Sequence, residues 1–335
     1  MANPNELKFA EAWRALSEDT AKPGWNTLPI TTSSNCLLLA GRHQPSNQES
    51  MLIGFTVSGL PKQSSLPQSK GFRLELVELP FQGRRYFCLA ITRHPSASVE
   101  IFSAMLDDIV TVLERSERTE ADHIAAVIER IVSWQRFMSR EDDGVLKGED
   151  EVGLVGELNV LRLLIANGIS AMQAVTWWQG PSDSLHDFVC PRGDIEVKSS
   201  TRVGLFSANV GSLDQFDESL VQPLYLAAVQ LSLSASGLRL PEHIDSLRQS
   251  LRTAPEAVSN FEGKLLSAGY HQALEGRYHR HFFYLTTSLY EISNSFPRLN
   301  KGNVPVGVVD ASYRIEIDGS KFTALALSDV LHEIG

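Results

Sequence analysis

His186-Asp187-Phe188-Val189-Cys190-Pro191-Arg192-Gly193-Asp194-Ile195-Glu196-Val197-Lys198-Ser199 places two short β-favouring runs on either side of a Pro-Arg-Gly turn. A turn at Pro191-Arg192-Gly193 makes the two runs a β-hairpin. Side chains alternate faces along a strand, so Ile195 and Val197 point into a core while Glu196 and Lys198 point together to the other side. The same turn brings Asp187 beside Glu196. Two carboxylates and a lysine then converge at the end of a small sheet. Carboxylates that close repel each other unless a cation sits between them, and Mg²⁺ is the usual cation for oxygen ligands. Such a cation polarises a phosphoryl oxygen and acidifies a water, and an adjacent ammonium can steer that water or offset developing charge.

A third carboxylate lies upstream. Leu154, Leu158, Leu161 and Ile165 form the apolar stripe of a helix predicted from about Val152 to Asn167, with Asn167-Gly168 as its stop. Glu157 borders that stripe, three residues after Leu154 and four before Leu161. An acid bordering a buried face needs a partner, and a metal site supplies one.

Beyond the hairpin, Leu224–Leu233 reads as a near-continuous apolar strand suited to the centre of a sheet. Helices are expected at about Pro241–Leu251 and Pro255–Ala268, and strands at about Arg277–Leu289 and Val304–Ile317. Val175–Trp178 and a Gly-Pro-Ser-Asp turn precede the hairpin; Trp177-Trp178 reads as core. The first 95 residues are strand-rich, with strands at Cys36–Ala40, Met51–Val57, Phe72–Leu79 and Arg85–Ile91 and a surface loop over Pro61–Gly71. Helical spacing follows over Val99–Glu114 and Ala121–Met138. The acidic, apolar-poor segment Ser139–Glu151 marks a boundary between domains 1–145 and 146–335.

The chain has 335 residues, 43% of them apolar and 21% charged, with 30 Lys and Arg against 40 Asp and Glu. A net charge of -10 excludes a protein that coats nucleic acid through a global positive field. It leaves room for a nuclease, since carboxylate metal ligands are themselves acidic. No signal peptide or membrane-length apolar run is read from the sequence. Cys36, Cys88 and Cys190 are sparse, without CxxC spacing, and suit reduced buried thiols in a cytoplasm.

Asp187, Glu196-Val197-Lys198 and the upstream helical Glu157 resemble the core of the PD-(D/E)XK nuclease superfamily. The likeness extends over Gly153–Leu164, Trp178–Arg202, Ser212-Leu213-Asp214-Gln215-Phe216, Tyr225–Leu231 and Phe296 through Val309. In those segments the chain is similar to bacterial PD-(D/E)XK motif proteins of phage-defence gene clusters. One departure stands out: His186, not Pro, precedes Asp187. The resemblance implies an α/β fold with a restriction-endonuclease-like core, a mixed sheet flanked by helices, behind an N-terminal α+β accessory domain. It implies a Mg²⁺-dependent endonuclease hydrolysing DNA phosphodiesters, with Mn²⁺ able to substitute. Asp187 and Glu196 would bind metal, the Val197 carbonyl would add an oxygen ligand, Glu157 would complete the site, and Lys198 would assist the attacking water. Partners implied are DNA and a helicase or ATPase of a defence complex; a homodimer is left open, and no membrane is involved. The competing reading is a non-catalytic DNA-binding or scaffold subunit using the same fold.

Other residues are weighed beside that core. Gln230, polar on the apolar strand, either faces the site or pairs with backbone. Ser199, Ser200, Thr201 and Arg202 could contact a phosphate or form an ordinary strand-end turn. Arg277, Arg280, Arg298 and Lys301, with Glu291 the one acid between Arg277 and Asn303, form a net +3 island suited to a DNA backbone or to solvent. His279 and His281 share a strand face but lack matching zinc ligands.

Overall fold

The computed structural model describes residues 4–17, 23–30, 36–56, 60–114, 119–139, 145–180 and 184–335. Expected features at Val57, at residues 140–144 of the acidic segment and at residues 181–183 of the Gly-Pro-Ser-Asp turn lie outside them. The chain is mixed α/β and divides into two compact units, Met1–Gly144 and Val145–Gly335. No helix among the described residues is long and apolar enough to cross a membrane.

The first unit contains helix α1 (Pro4–Ser17), strands β1 (Gly24–Pro29), β2 (Leu37–Gln44), β3 (Gln48–Phe55), β4 (Phe72–Phe81) and β5 (Arg84–Arg93), and helices α2 (Val99–Glu114) and α3 (Glu120–Ser139). The strands form an antiparallel sheet in the order β1-β2-β3-β5-β4. Neither α1 nor β1 is among the elements expected from the sequence. Phe9, Trp13 and Leu16 form a buried helical stripe on α1, and the Trp13 indole donates to the Ser50 carbonyl at 2.9 Å. A strand-rich reading of this region overlooks that stripe because it is only three residues deep. Glu49 joins Arg42 at 2.9 Å and Arg93 at 2.8 Å, tying β2, β3 and β5 together through one half-enclosed carboxylate.

The second unit opens with α4 (Gly148–Ala166) and α5 (Ala171–Trp177), followed by β6 (Phe188–Cys190), β7 (Gly193–Ser200), β8 (Phe206–Val210) and β9 (Leu224–Arg239). Helices α6 (Leu240–Leu251) and α7 (Pro255–Ala268), strands β10 (His281–Glu291) and β11 (Tyr313–Ile317), and α8 (Leu327–Ile334) complete it. The main sheet runs β10-β9-β7-β6, with β7 parallel to β9 and the other pairs antiparallel. A second, two-stranded sheet pairs β8 with β11.

Val175–Trp177, for which the sequence specifies no element, closes α5, whose first turn the Ser170 hydroxyl caps by accepting from the Gln173 amide. Three expectations shift. The apolar strand continues from Leu233 to Arg239, where Arg239 pairs with His281 beyond a register shift. The region expected to be a strand from Arg277 instead begins as a 3-10 turn over Gln272–Arg277, and the strand starts at His281. Of Val304–Ile317 only Tyr313–Ile317 is a strand; Pro305 lacks an amide donor and Gly307, at φ 97°, turns the chain away.

Two layers enclose the main sheet. On one face, Leu226 and Ala228 of β9 pack with Ala208, Val210, Phe216, Ile315 and Ile317, so the small sheet lies over the even-numbered side of β7 and β9. On the other face α4 crosses β7 so closely that a Cβ on Gly156 would sit 1.7 Å from Ser199 Oγ and 2.9 Å from Ser199 Cβ. The Ser199 hydroxyl is buried there with no hydrogen-bond partner among the described residues.

That contact yields a test. Gly156→Ala should destabilise the protein by about 1–3 kcal/mol through overpacking, measured as a lower Tm. Adding Ser199→Gly should restore most of the loss. An unchanged Tm in Gly156→Ala would show that α4 does not approach β7 this closely.

Candidate active site

The β6–β7 hairpin pairs Phe188 with Ile195, Val189 with Asp194 and Cys190 with Gly193. One further step in that register sets Asp187 across from Glu196. Pro191 and Arg192 make the connection, and the turn is seated from two sides. A Cβ at Gly193 would meet the Pro223 carbonyl at 2.6 Å, so only glycine lets the hairpin abut that segment. The Arg192 amide donates to the Ile334 carbonyl at 3.1 Å, and its guanidinium to the carbonyls of His332 and Gly335, so the end of α8 braces the turn.

Each functional side chain is held by a named partner. Asp187 Oδ2 accepts from the Val197 amide at 2.7 Å, which points both the amide and, by strand geometry, the Val197 carbonyl towards Asp187. Glu196 Oε1 accepts from Lys198 Nζ at 2.7 Å. Lys198 Nζ also reaches Gln215 Oε1 at 3.2 Å, on the 3-10 turn Asp214–Phe216. Glu157, arriving from α4, accepts at Oε2 from the Trp178 indole at 2.7 Å. Glu196 is 2% exposed, while Asp187, Glu157 and Lys198 keep partial access to solvent.

The carboxyls feel one another. Burial first, then the Asp187 charge, pushes Glu196 up to about 8 despite the Lys198 ammonium. Burial and the charges of Asp187 and Glu196 push Glu157 well above the usual carboxylate range, against the pull of Trp178 and Lys198. Burial raises Asp187, opposed by the Val197 amide, Lys198 and His186. Three acids share one lysine, and that imbalance is what a divalent cation relieves.

The donor chemistry therefore fits a hard divalent ion: carboxylate oxygens, mutual repulsion, and a lysine ammonium now standing as the counter-charge on Glu196. The arrangement of side chains is less complete. No three His, Cys, Asp or Glu side chains among the described residues already surround a common metal position. Glu157 is turned to Trp178, and Glu196 to Lys198.

Residues outside that core are placed differently from one another. Gln230 Nε2 donates to the carbonyls of Ser200 at 3.1 Å, Arg202 at 2.9 Å and Leu231 at 3.2 Å, so the second of its two readings, backbone pairing, is the one observed. Ser199 faces Gly156 and Ser200 is buried, which leaves Arg202 as the exposed cation of that turn. The basic island is not one surface. Arg298, expected at a DNA backbone, is buried against Glu218 and donates to Asn294 Oδ1 at 2.9 Å. Arg280 pairs with Glu151 at 2.6 Å and caps the Gly148 carbonyl, at the start of α4. Lys301 is exposed and pairs with Asp214 at 2.8 Å, and Arg277 is exposed. Burial pushes the Cys88 thiol up to about 11 and Cys190 up to about 12, so neither supplies a thiolate nucleophile near neutral pH.

Sequence reasoning passed over three neighbours of the site. Trp178, read as core, is fully buried yet aims its N–H at Glu157. Gln215 contacts Lys198 from 17 residues downstream. His186, which stands where the motif has Pro, pairs through Nδ1 with Asp194 Oδ2 at 2.8 Å. The buried polar character of His186 and Asp194 is visible only once the hairpin packs.

A family model described as “Putative PD-(D/E)XK family member, (DUF4420)” matches residues 9–318. No curated protein and no solved structure matches the chain.

The electrostatics make a pH-dependent prediction. Glu196 is raised on folding, so it imposes no penalty below the ordinary carboxylate range, and a growing one as pH rises through about 8. In metal-free buffer the Tm of Glu196→Gln relative to wild type should therefore climb between pH 5 and pH 8, by about 2–4 °C for each kcal/mol relieved. A pH-independent difference would mean the carboxyl is not raised.

Proposed function

The chain belongs to the DUF4420 family of PD-(D/E)XK-type proteins, and from that membership and the site we propose that it is a metal-dependent nuclease hydrolysing DNA phosphodiesters. One observation carries this reading: the hairpin sets Asp187 opposite Glu196, with Lys198 on the same face as Glu196 and Glu157 close enough to feel both acids.

Asp187, Glu196 and the Val197 carbonyl would hold the cation, with Glu157 acting directly or through a water. Mg²⁺ is the proposed ion and Mn²⁺ its substitute; when bound it supplies Lewis-acid polarisation of the phosphoryl oxygen and a more acidic water. The chain's own groups do the rest. The Val197 amide fixes the Asp187 carboxylate, and the Trp178 indole fixes Glu157. Lys198 presents its ammonium where it can orient the attacking water and offset charge developing on the phosphate. Arg202, Arg277 and Lys301 are the exposed cations proposed to meet the DNA backbone; Arg280 and Arg298 support the fold instead.

The restriction-endonuclease-like core is proposed for 146–335 and an accessory role, for a partner or for positioning DNA, for 1–145. A net charge of -10 disfavours strong unaided DNA binding, which supports delivery by a larger cytoplasmic complex. In the resembling bacterial proteins that setting is anti-phage defence, with a helicase or ATPase as partner.

Incubating the protein with plasmid DNA and Mg²⁺ or Mn²⁺, beside single-stranded DNA and RNA, tests the reading. Asp187→Ala and Lys198→Ala should each reduce cleavage by about 10²–10³-fold, the scale for losing one electrostatic stabiliser of the transition state. Equal cleavage by wild type and both variants would refute it.

A further inference from the structure

Lys198 has two acceptors, and they differ in kind. Glu196 is a carboxylate proposed to face a cation; Gln215 is a neutral amide whose Oε1 also accepts from the Gly211 amide at 2.8 Å. The turn that carries Gln215 is anchored twice. Phe216 is fully buried and sits edge-on to Phe296 at 5.9 Å, and the Gln215 carbonyl faces His186 Nε2 at 3.2 Å. His186 is itself buried and bonded through its other nitrogen to the buried Asp194. Asp194 lies two residues before Glu196 on the same strand face, so one strand holds both ends of the chain of contacts: Asp194 to His186, His186 to the Gln215 backbone, Gln215 to Lys198, Lys198 to Glu196.

We propose that Gln215 is a positioning residue that keeps Lys198 beside the acids when Glu196 directs its charge to a cation, with His186 fixing Gln215 in place. This rests on the nuclease reading for its purpose, though not for the contact itself. An ammonium held only by Glu196 would lose that partner and meet a like charge once a cation bound there. A neutral oxygen on the far side retains it. The amide also suits the site better than an acid would, because a glutamate at 215 would add a fourth carboxylate to three that already repel.

The test reads the lysine directly. In ¹⁵N-labelled protein at low temperature, the Lys198 ammonium should give a resonance slowed in exchange by its two acceptors, assigned by its loss in Lys198→Ala. It should persist when Mg²⁺ is added. Gln215→Met, which keeps the volume but removes the acceptor, should broaden the resonance away in Mg²⁺ with an unchanged far-UV spectrum. Gln215→Glu should keep it. On plasmid, Gln215→Met should lower kcat by about 10–100-fold, the loss of one hydrogen bond to a charged group, with KM unchanged. A Lys198 resonance that is absent in wild type, or as sharp in Gln215→Met as in wild type, overturns the proposal. Full cleavage by Asp187→Ala and Lys198→Ala, with the resonance still dependent on Gln215, would sink the nuclease reading while leaving the contact standing.

Discussion

The two-residue connection between Cys190 and Gly193 sets the register of the β6–β7 hairpin, and the site depends on that register. Side chains alternate along a strand, so a slip of one residue would turn Glu196 and Lys198 to the helix-covered face and put Ile195 and Val197 on the face that Glu196 and Lys198 now occupy. The surrounding structure opposes such a slip. Gly193 fits against the Pro223 carbonyl, the last turn of α8 caps the Arg192 amide, and β7 is locked in parallel register with β9 from Asp194 to Ser200.

Given that register, acids must gather. The fold manages their repulsion by giving each a donor: a backbone amide for Asp187, an indole for Glu157, an ammonium for Glu196. Those donors fix the oxygens in place without neutralising the total charge, since only the ammonium carries a whole positive charge. Burial first, and for Glu157 and Glu196 the neighbouring acid charges as well, holds the carboxyls above their ordinary range, the electrostatic signature of a site prepared for a cation or for proton transfer. The close passage of Gly156 over Ser199 has the same logic: it brings α4 near enough to β7 for Glu157, the next residue, to reach the cluster.

Much of this was legible in the sequence. Alternation in Ile195-Glu196-Val197-Lys198 and the Pro-Arg-Gly turn identify the hairpin and the pairing of Asp187 with Glu196, because both follow from local geometry. Helical spacing marks α2, α3 and α4 closely, and Leu154, Leu158 and Leu161 of the α4 stripe are buried, with Ile165 at its end partly exposed. The basic island follows no such local rule. Arg280 and Arg298 look like surface cations in one dimension, yet each meets an acid far away in the chain, Glu151 and Glu218. Pro305 and Gly307 likewise interrupt a valine-rich stretch that composition alone favours as a strand.

The hairpin, the three acids and the lysine, and the alternation that puts Glu196 and Lys198 on one face are all written into the linear chain. Those are short-range properties, dictated by backbone geometry over a few residues. Long-range packing sets what surrounds them: Trp178 on Glu157, Gln215 on Lys198, His186 between Asp194 and the Gln215 backbone, and Gln230 on the end of β7. Side-chain donors become partners only when packing of separate elements removes the water that would otherwise satisfy them, and no spacing rule in the chain encodes that approach.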